Sequence, residues 1–203
     1  MRKVAIEQNS ALEIASLYSV SKGFLGECGL RGGYLEAHNF DEAVKAQFVK
    51  MGSIKGTNTI GQLAMEISVN PPKPGDESYS QYVKERDTTM GALKRKATLL
   101  HEKLNQMRNI QCNVVEGAMY AFPEVKFSKR AIEAAQQKGL PVDKFYVFEA
   151  LEATGVVIVP GSGFGQKPGT YHFRITCLAP EEQLEDLLER FSQFNEAFHA
   201  KYE

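Results

Sequence analysis

The sequence is poor in the residues that mark several specialised classes of protein. Its 203 residues include only three cysteines and four histidines. Three widely spaced cysteines are typical of reduced thiols inside a cell and do not indicate a disulfide framework. The sequence contains no CxxC pair, and its histidines are scattered, so no zinc or other metal site is predicted.

The charge and hydropathy of the chain exclude two kinds of partner. Lys and Arg number 24 against 25 Asp and Glu, for a formal net charge of −1, so no broad basic field exists to hold a nucleic-acid backbone. No apolar run approaches the roughly 20 residues of a membrane-spanning helix, and the first residues do not form a signal-peptide core. We therefore expect an intracellular globular protein that binds neither nucleic acid nor membrane.

Hydrophobic periodicity and the placement of glycine and proline predict a mixture of helices and strands. The proline-rich segment at 70–76 is predicted to separate residues 1–75 from an α+β domain at 76–203. Residues 19–34 are predicted to form a glycine-rich loop. Helices are predicted at 40–50, 57–69, 79–107, 129–138, 142–154 and 180–202, and strands at 111–115, 118–122, 156–159 and 171–178.

The loop at 19–34 holds the densest group of chemically useful side chains. Ser19 and Ser21 can donate hydrogen bonds, and Arg31 can bind a phosphate with its forked guanidinium. Lys22 can act as a point charge or as an amine nucleophile, although an exposed lysine in a flexible loop is an equally good interpretation. Five glycines let the backbone bend closely around a ligand. The loop is not a Walker motif, because that motif needs a glycine immediately before the lysine.

A second candidate, Arg174, lies within the predicted strand at 171–178. Strand alternation places it on the same face as His172 and Thr176. A guanidinium in this position needs an acidic partner or a ligand carboxylate, and the residues alone favour an ordinary ion pair or a solvated face. The glycines at 161–165 resemble a dinucleotide-binding loop, but they lead into a strand rather than a helix, which argues against that function.

Four ordered blocks together resemble the alanine aminotransferase branch of the fold-type I aminotransferases, which depend on pyridoxal 5′-phosphate (PLP). The blocks are 19–23 (SVSKG) with 26–34 (GECGLRGGY), 117–123 (GAMYAFP), 159–166 (VPGSGFGQ) and 169–174 (GTYHFR). The resemblance implies α/β and α+β architecture. Residues 1–75 would be the end of the large PLP-binding domain with its Schiff-base lysine, and 76–203 the small domain with a long interdomain helix.

The same resemblance implies roles for individual residues. Lys22 matches the catalytic lysine, which binds the PLP aldehyde and shuttles a proton at the substrate. Ser19 and Arg31 match residues that hold the cofactor phosphate. Arg174 matches the arginine that pairs with the substrate α-carboxylate, in place of the ordinary ion pair or solvated face that the residues alone favour. The implied reaction converts L-alanine and 2-oxoglutarate to pyruvate and L-glutamate, in a homodimer of the cytoplasm or mitochondrion.

The resemblance covers only the C-terminal half of such enzymes. The family's phosphate-binding turn, the aromatic residue that stacks on the PLP ring and the aspartate that pairs with the pyridinium nitrogen have no match in the sequence. The chain is therefore expected to be a fragment whose chemistry needs the other half. Two alternatives stay open: a non-catalytic truncated subunit that acts as a binding or assembly module, and a PLP enzyme of another reaction type, such as a lyase.

Overall fold

A computed structural model describes residues 1–54 and 56–203 of the chain. The chain divides into two compact units, Met1–Arg86 and Asp87–Glu203. The division falls inside the long helix Tyr79–Gln106. The domain boundary expected between residues 75 and 76 stays a prediction.

The first unit contains a β-hairpin and three helices before the long helix. Its elements are α1 (Arg2–Glu7), β1 (Ile14–Ser19), β2 (Gly33–His38), α2 (Glu42–Ser53), α3 (Thr59–Val69) and the start of α4 (Tyr79–Gln106). The strands β1 and β2 pair antiparallel, with Tyr18 opposite Tyr34. The carboxylate of Asp41 caps α2 by accepting the Ala43 N–H, and Asn58 caps α3 in the same way. The loop predicted at 19–34 is too long, because β2 already begins at Gly33. The glycines near this position do not show the alternation from which a strand is predicted.

Apolar side chains of the first unit are mostly exposed. The buried hydrophobic residues there are Ala5, Val20 and Ala64. Leu17 and Ile67, by contrast, are 77% and 64% exposed. The described residues of this unit, 1–54 and 56–86, therefore form no closed hydrophobic core of their own.

The second unit packs short strands against long helices. After the rest of α4 come β3 (Ile110–Gln111), β4 (Tyr120–Ala121), β5 (Glu124–Val125), α5 (Lys129–Gln137), α6 (Val142–Thr154), β6 (Val159–Pro160), β7 (Phe173–Thr176) and α7 (Glu181–Lys201). The strand β7 lies between β4 and β6, antiparallel to both, and β3 pairs with β5. One hydrophobic core joins α4, α5, α6, α7 and this sheet. Phe191, Phe194 and Phe198 belong to it, as the helical spacing predicts.

The predicted strands are longer than the paired ones. The strand expected at 111–115 is Ile110–Gln111, and the strand expected at 171–178 is Phe173–Thr176. The alternation of apolar and polar residues extends beyond the residues that are hydrogen-bonded to a neighbouring strand. Here β4 and β6 each pair with β7 over only two residues.

Among residues 1–54 and 56–203, no helix has both the length and the apolar character needed to cross a membrane. The same residues include no cluster of three or more His, Cys, Asp or Glu that could hold a metal ion.

Candidate functional site

The loop that carries Lys22 begins where β1 ends, at Ser19. The next residue, Val20, is fully buried. Its N–H donates to the Gly32 carbonyl at 3.1 Å, and its carbonyl accepts the Glu27 N–H at 2.9 Å. These two bonds close the base of the loop, and Lys22 follows on the exposed side.

The hydroxyl of Ser19 organises the backbone just before Lys22. It accepts the Ser21 N–H at 3.1 Å and donates to the Gly32 carbonyl at 3.3 Å. The Cys28 thiol donates to the Ser21 carbonyl at 3.2 Å and ties the far side of the loop to the same turn. Because the 3.3 Å bond is long, the Ser19 hydroxyl loses little by turning its proton toward a phosphate.

Arg31 follows a 3₁₀ turn at Cys28–Leu30 and has left-handed backbone angles, φ 54° and ψ 38°. Such angles cost roughly 1–2 kcal/mol of conformational free energy for a residue with a side chain. At Arg31 they change the direction of the chain just before β2 begins. One guanidinium nitrogen donates to the Cys28 carbonyl at 3.1 Å. No carboxylate of the described chain lies within 4 Å of this guanidinium. Most of the five N–H donors of this guanidinium can therefore bind an anion.

Gly32 is needed for packing rather than for contact with a ligand. A Cβ built at this position would lie 2.5 Å from the Gly61 carbonyl oxygen in α3, a distance that atoms do not tolerate. The sequence prediction assigned all five glycines to a bound ligand, and for Gly32 the structure gives this different reason. A cavity of about 360 Å³, lined by Arg31, Asn58 and Gln62 among others, lies beside this contact.

Arg174 lies in β7 of the second unit, and the predicted alternation is confirmed. Phe173 and Ile175 are buried, whereas Arg174 is half-buried. Its guanidinium carbon lies 4.6 Å from the centre of the Tyr120 ring and 4.8 Å from that of Phe164. No Asp or Glu in residues 1–54 or 56–203 comes within 4 Å of it. Of the two interpretations that the residues alone favoured, the ion pair is therefore wrong, and the face is only partly solvated because two rings make cation–π contacts with the guanidinium.

Sequence reasoning missed the carboxylate that holds the loop before β7. Asp143, buried in the first turn of α6, accepts the Ser162 N–H at 2.7 Å and a Gln166 side-chain N–H at 3.1 Å. Gln166 in turn accepts the His172 N–H at 2.9 Å. An acid in the first turn of a helix has an ordinary explanation in the helix dipole, so no signal in the sequence points to this contact.

The predicted site residues divide between the two units. Ser19, Lys22 and Arg31 lie in one loop of the first unit, and Arg174 lies in the second. The loop offers a hydroxyl, an amine and a guanidinium without a carboxylate facing the guanidinium. This donor set fits a ligand that carries both a phosphate and an aldehyde, as PLP does.

Known proteins match the chain over nearly its whole length. No protein-family model matches it. It is 47% identical to alanine aminotransferase 2 of Xenopus laevis over 195 residues, which is 96% of this chain and 36% of that protein. It is also 47% identical, over 192 residues, to a probable mitochondrial alanine aminotransferase of Dictyostelium discoideum, with 94% of this chain and 36% of that protein covered.

A solved structure shows the same arrangement of elements. The alanine aminotransferase from Pyrococcus furiosus matches with a TM-score of 0.70 and 26% identity, over 92% of this chain and 43% of that one. The chain has the fold of the C-terminal part of a fold-type I aminotransferase. The predicted resemblance to alanine aminotransferases and the predicted fold are confirmed. The chain spans little more than a third of the length of the curated relatives it matches.

Proposed function

We propose that the complete protein transfers the amino group of L-alanine to 2-oxoglutarate, giving pyruvate and L-glutamate, with PLP as its cofactor. The observation that carries this proposal is the 47% identity to alanine aminotransferases across 96% of the chain. The loop around Lys22 supports it, because its side chains suit the cofactor. When bound, PLP supplies the electron sink that weakens the bonds at the substrate Cα.

Ser19 and Arg31 are proposed to hold the cofactor phosphate. The guanidinium has one backbone partner, the Cys28 carbonyl, and can offer a paired set of N–H donors to two phosphate oxygens. The Ser19 hydroxyl can add a third hydrogen bond after releasing its long contact to the Gly32 carbonyl. Both groups are fixed by a hairpin whose base is buried at Val20.

Lys22 is proposed to act twice. Its amine would hold the cofactor through the PLP aldehyde. After the amino-acid substrate has taken its place there, the neutral amine would carry the proton between the substrate Cα and the aldehyde carbon of the cofactor. Arg174 is proposed to bind the α-carboxylate of both the amino acid and the oxo acid. The rings of Tyr120 and Phe164 lie against this guanidinium, and their low polarity should strengthen its pairing with a carboxylate.

The test is to trap PLP on the purified chain. After incubation with PLP, a visible absorbance spectrum is recorded, the adduct is reduced with borohydride, and peptides are mapped by mass. We expect an adduct on Lys22 that Lys22→Ala removes and that Lys50→Ala, an exposed lysine of α2, leaves in place. Arg31→Ala should weaken PLP binding by roughly tenfold, the value of a charge-assisted hydrogen bond.

Each alternative function has its own outcome in this experiment. Adducts scattered over surface lysines would contradict a PLP site in this loop and favour a binding or assembly module. Products other than pyruvate and L-glutamate from L-alanine and 2-oxoglutarate, measured on the complete protein, would favour another PLP reaction such as a lyase. Transamination by the purified chain alone would show that the other half is dispensable.

Assembly and location extend the proposal. We propose that the complete protein is a homodimer, because the exposed apolar side chains of the first unit are typical of a surface that is buried in an interface. We also propose that the protein works in the cytoplasm or the mitochondrion, where its cysteines stay reduced. The relative from Dictyostelium discoideum bears a mitochondrial name.

A further inference from the structure

We propose that Asp143 and Gln166 are positioning residues that act through Phe164 on Arg174, the proposed binding group for the substrate carboxylate. This inference rests on the proposed function, in which Arg174 binds the substrate α-carboxylate. The resemblance assigns no role to Asp143 or Gln166. Asp143 contacts the loop that carries Phe164, and Gln166 belongs to that loop.

Two sets of hydrogen bonds, called ties below, hold the loop at 161–170. The first tie joins this loop to helix α6. Asp143 is 2% exposed, and its Oδ2 accepts both the Ser162 N–H at 2.7 Å and the Gln166 Nε2–H at 3.1 Å. Its Oδ1 accepts the N–H of Lys144 at 2.9 Å. No cation of the described chain lies within 4 Å of this carboxylate. A buried acid held only by N–H donors fixes the geometry of those donors rather than neutralising a charge.

The second tie joins the same loop to strand β7. Gln166 Oε1 accepts the His172 N–H at 2.9 Å, two residues before Arg174. Gly161, at the other end of the turn, donates its N–H to the His172 carbonyl at 2.7 Å. A Cβ at Gly161 would lie 2.3 Å from Gln166 Oε1, so the turn is packed tightly around the glutamine amide.

Between the two ties, the turn presents Phe164 to Arg174. The ring centre lies 4.8 Å from the guanidinium carbon. Phe122 supports that ring edge-on at 5.7 Å, and Phe122 itself stacks on His172 at 4.8 Å with the planes 1° apart. The aromatic contacts and the hydrogen bonds therefore converge on one orientation of Phe164.

The consequence is a pre-oriented guanidinium. An arginine side chain loses considerable rotamer freedom when it binds a ligand, and a ring packed on it removes part of that freedom beforehand. Loosening the loop should therefore weaken carboxylate binding and raise KM for both substrates more than it lowers kcat. It should also speed exchange of the Arg174 Nε proton with water before any ligand is added.

The experiment titrates the ¹⁵N-labelled chain with succinate, a simple dicarboxylate probe. Binding is followed by the Arg174 Nε–H signal and the Ile175 amide signal, and exchange of the Nε proton is measured without succinate. Asp143→Asn and Gln166→Ala should each weaken succinate binding about three- to fivefold, as expected for loss of one cation–π contact, and should speed the exchange. Glu152→Gln, an exposed acid on the same helix, is the matched control and should do neither.

Two further variants keep the proposal testable if the Asp143 change unfolds the protein. Phe164→Leu leaves both ties in place but removes the ring, so it should reproduce the weakening, whereas Phe164→Tyr should bind like the unaltered chain. Wild-type binding and exchange in Asp143→Asn, Gln166→Ala and Phe164→Leu would overturn the positioning role. Unchanged binding in Arg174→Gln, read at Ile175, would instead overturn the proposed function itself.

Discussion

At the scale of single residues, the clearest electrostatic feature is His199. It is 5% exposed on α7, among the rings of Phe127, Tyr146 and Phe198. Within the described chain its Nε2 has no hydrogen-bond partner, and its Nδ1 lies 3.3 Å from the Asn109 amide nitrogen. Burial lowers the pKa of His199, the positive charge of Arg108 lowers it further, and Glu196 partly opposes both.

A lowered histidine pKa makes stability depend on pH with a definite sign. The unfolded chain binds a proton at His199 near pH 6.5, whereas the folded chain resists it, so acid favours unfolding. We expect the free energy of unfolding to be unaffected by this group above about pH 6.5 and to decrease as the pH falls from there through the folded-state pKa. The measurement is urea unfolding, followed by near-UV circular dichroism at several pH values.

Two histidine variants separate this effect from general acid sensitivity. His199→Phe should flatten the pH dependence between neutral and mildly acidic solution. His38→Phe, in the first unit, serves as the control and should leave the slope as it is. An identical slope in the His199 variant and the unaltered chain would show that this residue does not set it.

The same scale shows why the sequence predicted only part of the site. The face occupied by Arg174 follows from strand alternation, which is a local property. The partners of Arg174 do not, since Tyr120 and Phe164 come from other segments. Asp143 acts on Ser162, 19 residues away along the chain, and such a contact leaves no periodic trace in the sequence.

At the scale of elements, helices were predictable and strands much less so. The helix Val142–Thr154 has the predicted bounds because Pro141 precedes it and Gly155, in the left-handed conformation, ends it. The strand Glu124–Val125 was missed, since two residues carry no alternation. Short ladders depend on which segments meet in space, and local sequence does not contain that information.

A buried hydrogen bond joins α6 to α7, and its contribution to the free energy of unfolding can be measured. Tyr146, 1% exposed, donates its hydroxyl to Asn195 Oδ1 at 2.7 Å, and Asn195 donates to the Arg108 carbonyl at 2.9 Å. Burial raises the pKa of Tyr146 well above its ordinary value, so the hydroxyl stays protonated as the donor. The bond joins the two helices within the core.

Tyr146→Phe should therefore lower the free energy of unfolding by about 1–3 kcal/mol, because the Asn195 carbonyl oxygen then stays buried without a donor. Urea unfolding measures the loss. Tyr171→Phe is the matched control: Tyr171 is half-buried, and its hydroxyl makes no hydrogen bond in the described part of the chain. Removing that hydroxyl should change stability by less than about 0.5 kcal/mol. Equal losses in the two variants would contradict a special role for the Tyr146 bond.

At the scale of the whole molecule, apolar surface is distributed very unevenly between the two units. The second unit holds a continuous core that includes Leu100, Phe173 and Leu188, each no more than 1% exposed. In the first unit, Leu17, Val49 and Ile54 are all more than 70% exposed. Burial of apolar surface is the main source of folding free energy, so the two units should differ in their resistance to local unfolding.

Limited proteolysis of the intact chain measures that difference. We expect trypsin and thermolysin, whose cleavage preferences differ, both to cut first within Met1–Arg86 and to leave a resistant product that contains most of Asp87–Glu203. Agreement between the two proteases matters, because it separates local opening from the positions of cleavable residues. If the first unit resists as long as the second, its exposed apolar side chains must be covered in solution, and self-association of this chain through that surface becomes the explanation to test by sedimentation.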